Sequence, residues 1–209
     1  MVCEAEAAVD FLKSRRSSKL LKRGDVPLEH VKKAIEAATY AANAHNSQPW
    51  RFIIITSEEI KEKLLEAMEE EWRRDLSKDG LESEKIEKII EHASERTRRA
   101  AILVIACLTM EDMDVYPDER RQRYEYIMGV QSVAAAVQNM LLALHAYGLG
   151  ACWRCSPLFA QEAVRRVLGI PEEVEPQALI EIGLPGGQRE ASRKPLGEVC
   201  FLNTWGGKI

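Results

Sequence analysis

The chain has 209 residues, with Lys+Arg 29 against Asp+Glu 33, a net charge of −4 and 46% hydrophobic residues. That length suits one domain with its own core, expected to span residues 1–209, and the composition excludes a disordered or collagen-like chain. A mildly acidic chain lacks the clustered cations on which affinity for phosphate backbones rests, so no nucleic-acid partner is expected.

The N-terminus carries acids before any apolar run, unlike a secretory leader. The apolar run at 100–108 is far shorter than a bilayer span, so no membrane partner is expected. Five cysteines, an odd number in a chain of this length, agree with a reducing compartment, and a cytoplasmic protein is expected.

Ala8, Phe11 and Leu12 are spaced for one face of a helix over 4–14. A basic, hydroxyl-bearing stretch follows: Arg15-Arg16-Ser17-Ser18-Lys19. Taken alone it reads as a solvated turn, but guanidinium forks beside hydroxyls also suit a phosphomonoester. Pro27 opens a second helix running to about residue 42, with Leu28, Val31, Ile35 and Ala38 on one stripe. The polar loop 43–49 is dense in amides that both donate and accept, as a ribityl chain or a heterocycle edge requires; its bland alternative is a surface turn. Residues 50–56 (WRFIIIT) predict a strand.

Thr56 with Glu59 makes a capping box for a helix over 57–76, and a second charged helix is predicted over 83–99. The run 101–108 reads as a strand buried on both faces. Residues 109–126, with Tyr116, Tyr124 and Tyr126, are expected to form a loop covering a pocket. A helix over 124–147 is apolar on nearly every face, which calls for burial on all sides, in part against a second subunit. Gly148-Leu149-Gly150 ends it. A short strand at 151–154, a helix from Ser156-Pro157 to Leu168 and a strand at 177–182 complete the pattern of an open α/β or α+β arrangement.

Cys152-Trp153-Arg154-Cys155 is a CxxC. A zinc site wants two more ligands at similar spacing, and Cys3, Cys107 and Cys200 are singletons, so no metal is expected. A dithiol pair is the functional alternative, and two small packed residues the favoured one. Of the four scattered histidines, His145 falls on the buried helix and reads as a core residue, leaving His45, in the polar loop, as the one of interest. Gly148-x-Gly150 lacks a third glycine and follows a helix, so it is not a dinucleotide fingerprint.

Taken in order, five segments carry a resemblance. They are Arg15-Arg16-Ser17-Ser18-Lys19, the loop Ala41-Ala42-Asn43-Ala44-His45-Asn46-Ser47-Gln48-Pro49-Trp50, Gln138-Asn139-Met140-Leu141-Leu142-Ala143, Gly148-Leu149-Gly150-Ala151-Cys152-Trp153, and Arg193-Lys194-Pro195-Leu196. This set resembles the nitroreductase family of FMN-dependent oxidoreductases across nearly the whole chain. The resemblance implies an α+β fold, a central, mostly antiparallel sheet wrapped by helices, in a homodimer with FMN at its interface.

By the same resemblance, Arg15 and Ser17, with Arg16 beside them, hold the phosphate, and Arg193 returns to it. Lys19 approaches the pyrimidine edge; Asn43, Ala44, Asn46 and Gln48 reach a flavin; Trp153, Arg154, Cys155 and Ser156 line the ring. Cys152 falls where the family often has Cys, which argues against a dithiol. Three departures stand out: Ala42-Asn43 replaces the family's Pro-Ser, Cys155 stands where many members carry Gly or Glu, and Ala191 stands where some carry a second cation, passing that part to Arg189 or Lys194. The implied activity is hydride transfer from NAD(P)H through flavin N5 to a nitroaromatic, quinone or similar small acceptor, with no catalytic acid or base from the protein. The rival readings are a member with divergent flavin chemistry, such as reductive dehalogenation or flavin fragmentation, and a non-enzymatic flavin-binding or dithiol module.

Overall fold

The computed structural model describes residues 4–187 and 191–209; Cys3 and Arg189 lie outside them. Seven helices and five strands follow in the order α1 (Ala5–Ser14), β1 (Leu21–Lys22), α2 (Leu28–Ala38), β2 (Trp50–Ile55), α3 (Glu58–Lys78), α4 (Ser83–Arg98), β3 (Ile102–Thr109), α5 (Glu119–Ala146), β4 (Gly150–Arg154), α6 (Gln161–Leu168), β5 (Val174–Pro185) and α7 (Leu196–Val199). Every strand pairing is antiparallel. β5 is the hub: β3 and then β2 lie to one side, while β4 and the two-residue β1 pair with its other edge. The α+β architecture expected from sequence is the one found.

Alternation along the strands builds two cores. On one face Val104, Ala106, Ile180 and Ile182 pack against Val31 and Ala34 of α2 and Val137, Met140 and Leu144 of α5. On the other, Leu103, Ile105 and Leu179 meet Leu64 and Met68 of α3 and Ala163 and Val164 of α6. All eight residues of β3 are buried, because helices cover both faces. α4 lies on α3, joined by Arg73 to Glu87 at 2.7 Å and Arg98 to Glu62 at 2.7 Å.

Several boundaries differ from the sequence expectation. The cap of α3 is Ser57, whose hydroxyl accepts from the Ile60 N–H at 3.3 Å, rather than Thr56. α5 begins at 119 instead of 124: Asp118 accepts from the Arg121 N–H at 3.0 Å and starts the helix on residues without apolar periodicity. The loop expected over 109–126 is therefore shortened to residues before 119. The chain from Ser156 forms a separate 3-10 turn before α6 rather than one continuous helix. α5 is long and apolar enough to cross a bilayer, yet it packs against α2 and the sheet. Its other side stays open in the single chain, with Ile127 exposed and Ala134 and Leu142 half-buried.

Candidate functional site

Three segments that resemblance singled out take their shape from backbone chemistry. α1 ends where the Ser14 hydroxyl turns back to the Phe11 carbonyl at 2.7 Å and meets His145 Nε2 at 2.8 Å. His145 also lies against the Phe11 ring, so it braces α1 on α5 instead of filling the core. Arg15 leaves the helix extended, and the Ser18 N–H donates to the Ala151 carbonyl at 2.9 Å, stitching the segment to β4. Gly150 permits this approach: a Cβ there meets Leu21 at 2.9 Å and both Ser18 and Pro185 at 3.1 Å.

A cavity of about 180 Å³ results, walled by Arg15, Arg16, Ser18, His145, Gly148 and Ala151. It is too small for a whole nucleotide but suits a compact polar group. Arg16 donates to the Arg15 carbonyl at 2.9 Å, while Arg15 Nη1 is buried with no hydrogen-bond partner. A buried, unpaired guanidinium nitrogen is costly, and an anion in the cavity relieves it.

The amide loop is strained. His45, Asn46 and Gln48 have φ of 56°, 54° and 48°, in the left-handed region that side chains disfavour. Internal bonds hold it there. Asn43 Nδ2 donates to the Ala41 carbonyl at 3.1 Å and Asn43 Oδ1 accepts from the Gln48 N–H at 2.9 Å. The Ala44 N–H donates to Ser132 Oγ at 3.2 Å, and Ser132 donates to the Met128 carbonyl at 2.7 Å. The Asn43 amide is thus engaged within the loop, while Asn46 and Gln48 are exposed.

β4 delivers the third segment. Trp153 and Arg154 project to opposite faces and each leaves a buried nitrogen, Trp153 Nε1 and Arg154 Nη1, without a hydrogen-bond partner. Arg154 Nη1 is 3.7 Å from Glu181, whose carboxylate accepts from Thr97 at 2.6 Å. Cys155 is exposed and Ser156 half-buried. Arg154, Cys155 and Ser156 border a cavity of about 660 Å³ whose other walls include Met68, Trp72, Thr97 and Phe159. That volume falls in the range of small-molecule sites. Cys152 is buried in the strand; burial, and then the Glu181 charge, push its thiol up, the reverse of what a redox dithiol needs.

Other expected residues are placed elsewhere. Ser17 and Lys19 are exposed beside the smaller cavity's entrance segment, and Arg193 is exposed, donating to its neighbour Ser192 at 2.9 Å, away from that cavity's walls. Tyr124 is exposed, Tyr126 donates to Glu175 at 2.8 Å at the start of β5, and Tyr116 stacks under Arg121. Ser18 and Ser132, which sequence reasoning missed, do structural work here. Ser132 carries a visible signal, a single serine with no threonine within an apolar helix.

Comparison with known proteins places this geometry. The chain is 28% identical over 189 residues to a protein of Archaeoglobus fulgidus named for NADH dehydrogenase or NAD(P)H nitroreductase activity, covering 88% of this chain and 89% of that one. Its fold matches a BluB-like flavoprotein from Clostridium difficile with a TM-score of 0.76 at 23% identity, over 94% of this chain and 99% of the other. It also matches a nitroreductase from Desulfovibrio desulfuricans, solved with FMN, with a TM-score of 0.73 at 24% identity, over 94% and 96% of the two chains. The sequence profile described as the nitroreductase family matches residues 12–184. With that match spanning most of the chain and the antiparallel sheet expected of the fold, the chain belongs to the nitroreductase family.

Proposed function

We propose that the protein is an FMN-dependent oxidoreductase acting as a homodimer, which takes hydride from NAD(P)H and reduces a nitroaromatic, quinone or similar small acceptor. One observation carries this reading. Among the described residues, four buried side-chain polar atoms lack a partner, and three of them belong to Arg15, Trp153 and Arg154, residues assigned to the flavin from sequence. Arg15 borders the smaller cavity and Arg154 the larger, and unpaired donors of this kind are what the acceptors of a phosphorylated heterocycle satisfy.

FMN, when bound, supplies the hydride-accepting ring; the protein orients it and adjusts its charge. Arg15, Arg16 and Ser17 hold the phosphate. Lys19 lies toward the pyrimidine edge, where a cation favours the negative charge that reduction brings. Arg154, Cys155 and Ser156 line the ring and exclude water, and the 43–48 loop presents Ala44 and Asn46 to it. The larger cavity admits nicotinamide and acceptor in turn. No side chain of the site is required as an acid or base.

The second subunit covers what a single chain leaves open. α5 exposes an apolar side, and the C-terminal segment displays Leu196, Val199, Leu202 and Trp205, the last 93% exposed. Large apolar side chains in water on this scale mark an interface. Packing of that segment on a partner brings Arg193 to a phosphate.

An absorbance spectrum of the protein purified after FMN supplementation tests the reading. A yellow dimer bleached anaerobically by NADH or NADPH, and recoloured by an acceptor, is expected. A colourless protein with no FMN binding by fluorescence titration overturns it, and a yellow protein that no nicotinamide bleaches points to the divergent chemistry instead.

A further inference from the structure

His45, Asp114 and Glu125 come from three separate segments: the strained amide loop, the loop before α5, and α5 itself. One ligand atom from each lies within 4.8 Å of the others. His45 Nε2 is 3.3 Å from a Glu125 oxygen and 3.8 Å from an Asp114 oxygen. Glu125 is completely buried, and its Oε2 has no hydrogen-bond partner, while Oε1 accepts from the Asp114 N–H at 3.2 Å. A cation beside that idle oxygen would offset the cost of burying the carboxylate. Among the described residues the only basic side chain within salt-bridge distance of it is His45, which is 45% exposed.

We infer that this cluster is a binding site for a divalent transition-metal ion of the zinc type. The donor set, one imidazole and two carboxylates, is one that zinc accepts, with water in the remaining position. Donors about 2.1 Å from a tetrahedral ion sit about 3.4 Å apart, near the separations found here. The left-handed backbone at His45 aims the imidazole toward α5, and the exposed faces of His45 and Asp114 leave an entry path. One ligand at residue 45 and two at residues 114 and 125 make no recognised spacing motif, and the expectation of no metal rested on the cysteines. The ion braces the 43–48 loop from beneath, and the inference does not depend on whether FMN binds.

Isothermal titration of chelator-treated, full-length protein with Zn²⁺ tests it. One equivalent per chain is expected, with at least a tenfold loss of affinity in Glu125→Gln and in His45→Asn, the latter keeping a residue that tolerates a left-handed backbone. Thermal unfolding shifts upward with Zn²⁺ in the parent and not in either variant. Thiol sites at Cys155 or Cys200 are untouched by these changes, so the difference reports the cluster alone. Should Glu125→Gln fail to fold, Asp114→Asn, on an exposed side chain, takes its place. No Zn²⁺ uptake by the parent, or uptake equal in parent and variants, overturns the assignment.

Discussion

Thr97 donates its hydroxyl to the buried carboxylate of Glu181 at 2.6 Å, tying the last turn of α4 to the hub strand β5. Arg154 approaches the same carboxylate at 3.7 Å. Removing the hydroxyl leaves a buried charge short of a donor. Thr97→Val is expected to lower stability by about 1–3 kcal/mol in urea unfolding. A loss below about 0.5 kcal/mol means water replaces the hydroxyl without cost.

Arg15 offers a second test. Its buried Nη1 lacks a partner, and a charge-assisted bond to phosphate is worth about 1.5–3 kcal/mol. Arg15→Gln is therefore expected to weaken FMN binding about 10- to 100-fold in a fluorescence titration. Affinity equal to the parent's removes Arg15 from the phosphate site.

Ser132 supports the amide loop from α5 through the Ala44 N–H. Ser132→Ala leaves that N–H without its acceptor, and FMN affinity is expected to fall about fivefold, the effect of one neutral hydrogen bond. An unchanged dissociation rate for FMN counts against coupling between loop and cofactor.

Gly150→Ala places a methyl group against Leu21, Pro185 and Ser18. The N-terminal segment must then lift from β4, at an expected cost of about 1–3 kcal/mol. Faster amide exchange around residues 15–22 is the specific readout; exchange unchanged there shows that the segment is held by other contacts.

Burial pushes the Cys107 thiol from 9.0 up to about 12. In the unfolded chain the thiol ionises near its ordinary value, so the folded state binds the extra proton between the two. Stability from this group is complete below pH 9 and is lost progressively toward pH 12. Urea midpoints measured from pH 8 upward should fall less steeply in Cys107→Ala than in the parent. In the native protein, alkylation should reach Cys155 and Cys200, both exposed, well before Cys107.

The helices α1 to α4 and the strands β2 to β4 were legible because each carries its own periodicity within a short window. Arg15, Arg16 and the 43–48 loop stood out for a different reason: each alone reads as a solvated turn, and only their order along the chain suggested polar recognition. The rest depends on partners remote in the chain. Ser132 and Ala44 are 88 residues apart, and nothing local to either marks the bond. Nothing local to Glu125 marks its burial, which depends on what packs around the first half of α5. β1 has only two residues and exists solely because the end of β5 offers it an edge. Arg193 is exposed in the single chain and lies outside the smaller cavity's wall, where no local pattern places it.

β1 pairs Leu21 with Pro185 and Lys22 with Leu184. The segment carrying Arg15, made well before β5, thus finds its β5 edge only after residues 184 and 185 have emerged. Strand pairing across such a separation is slow, since so much chain entropy is lost before any contact forms. The cavity walled by Arg15 and Arg16 is consequently a late product of synthesis, because Pro185 at the end of β5 completes its lining.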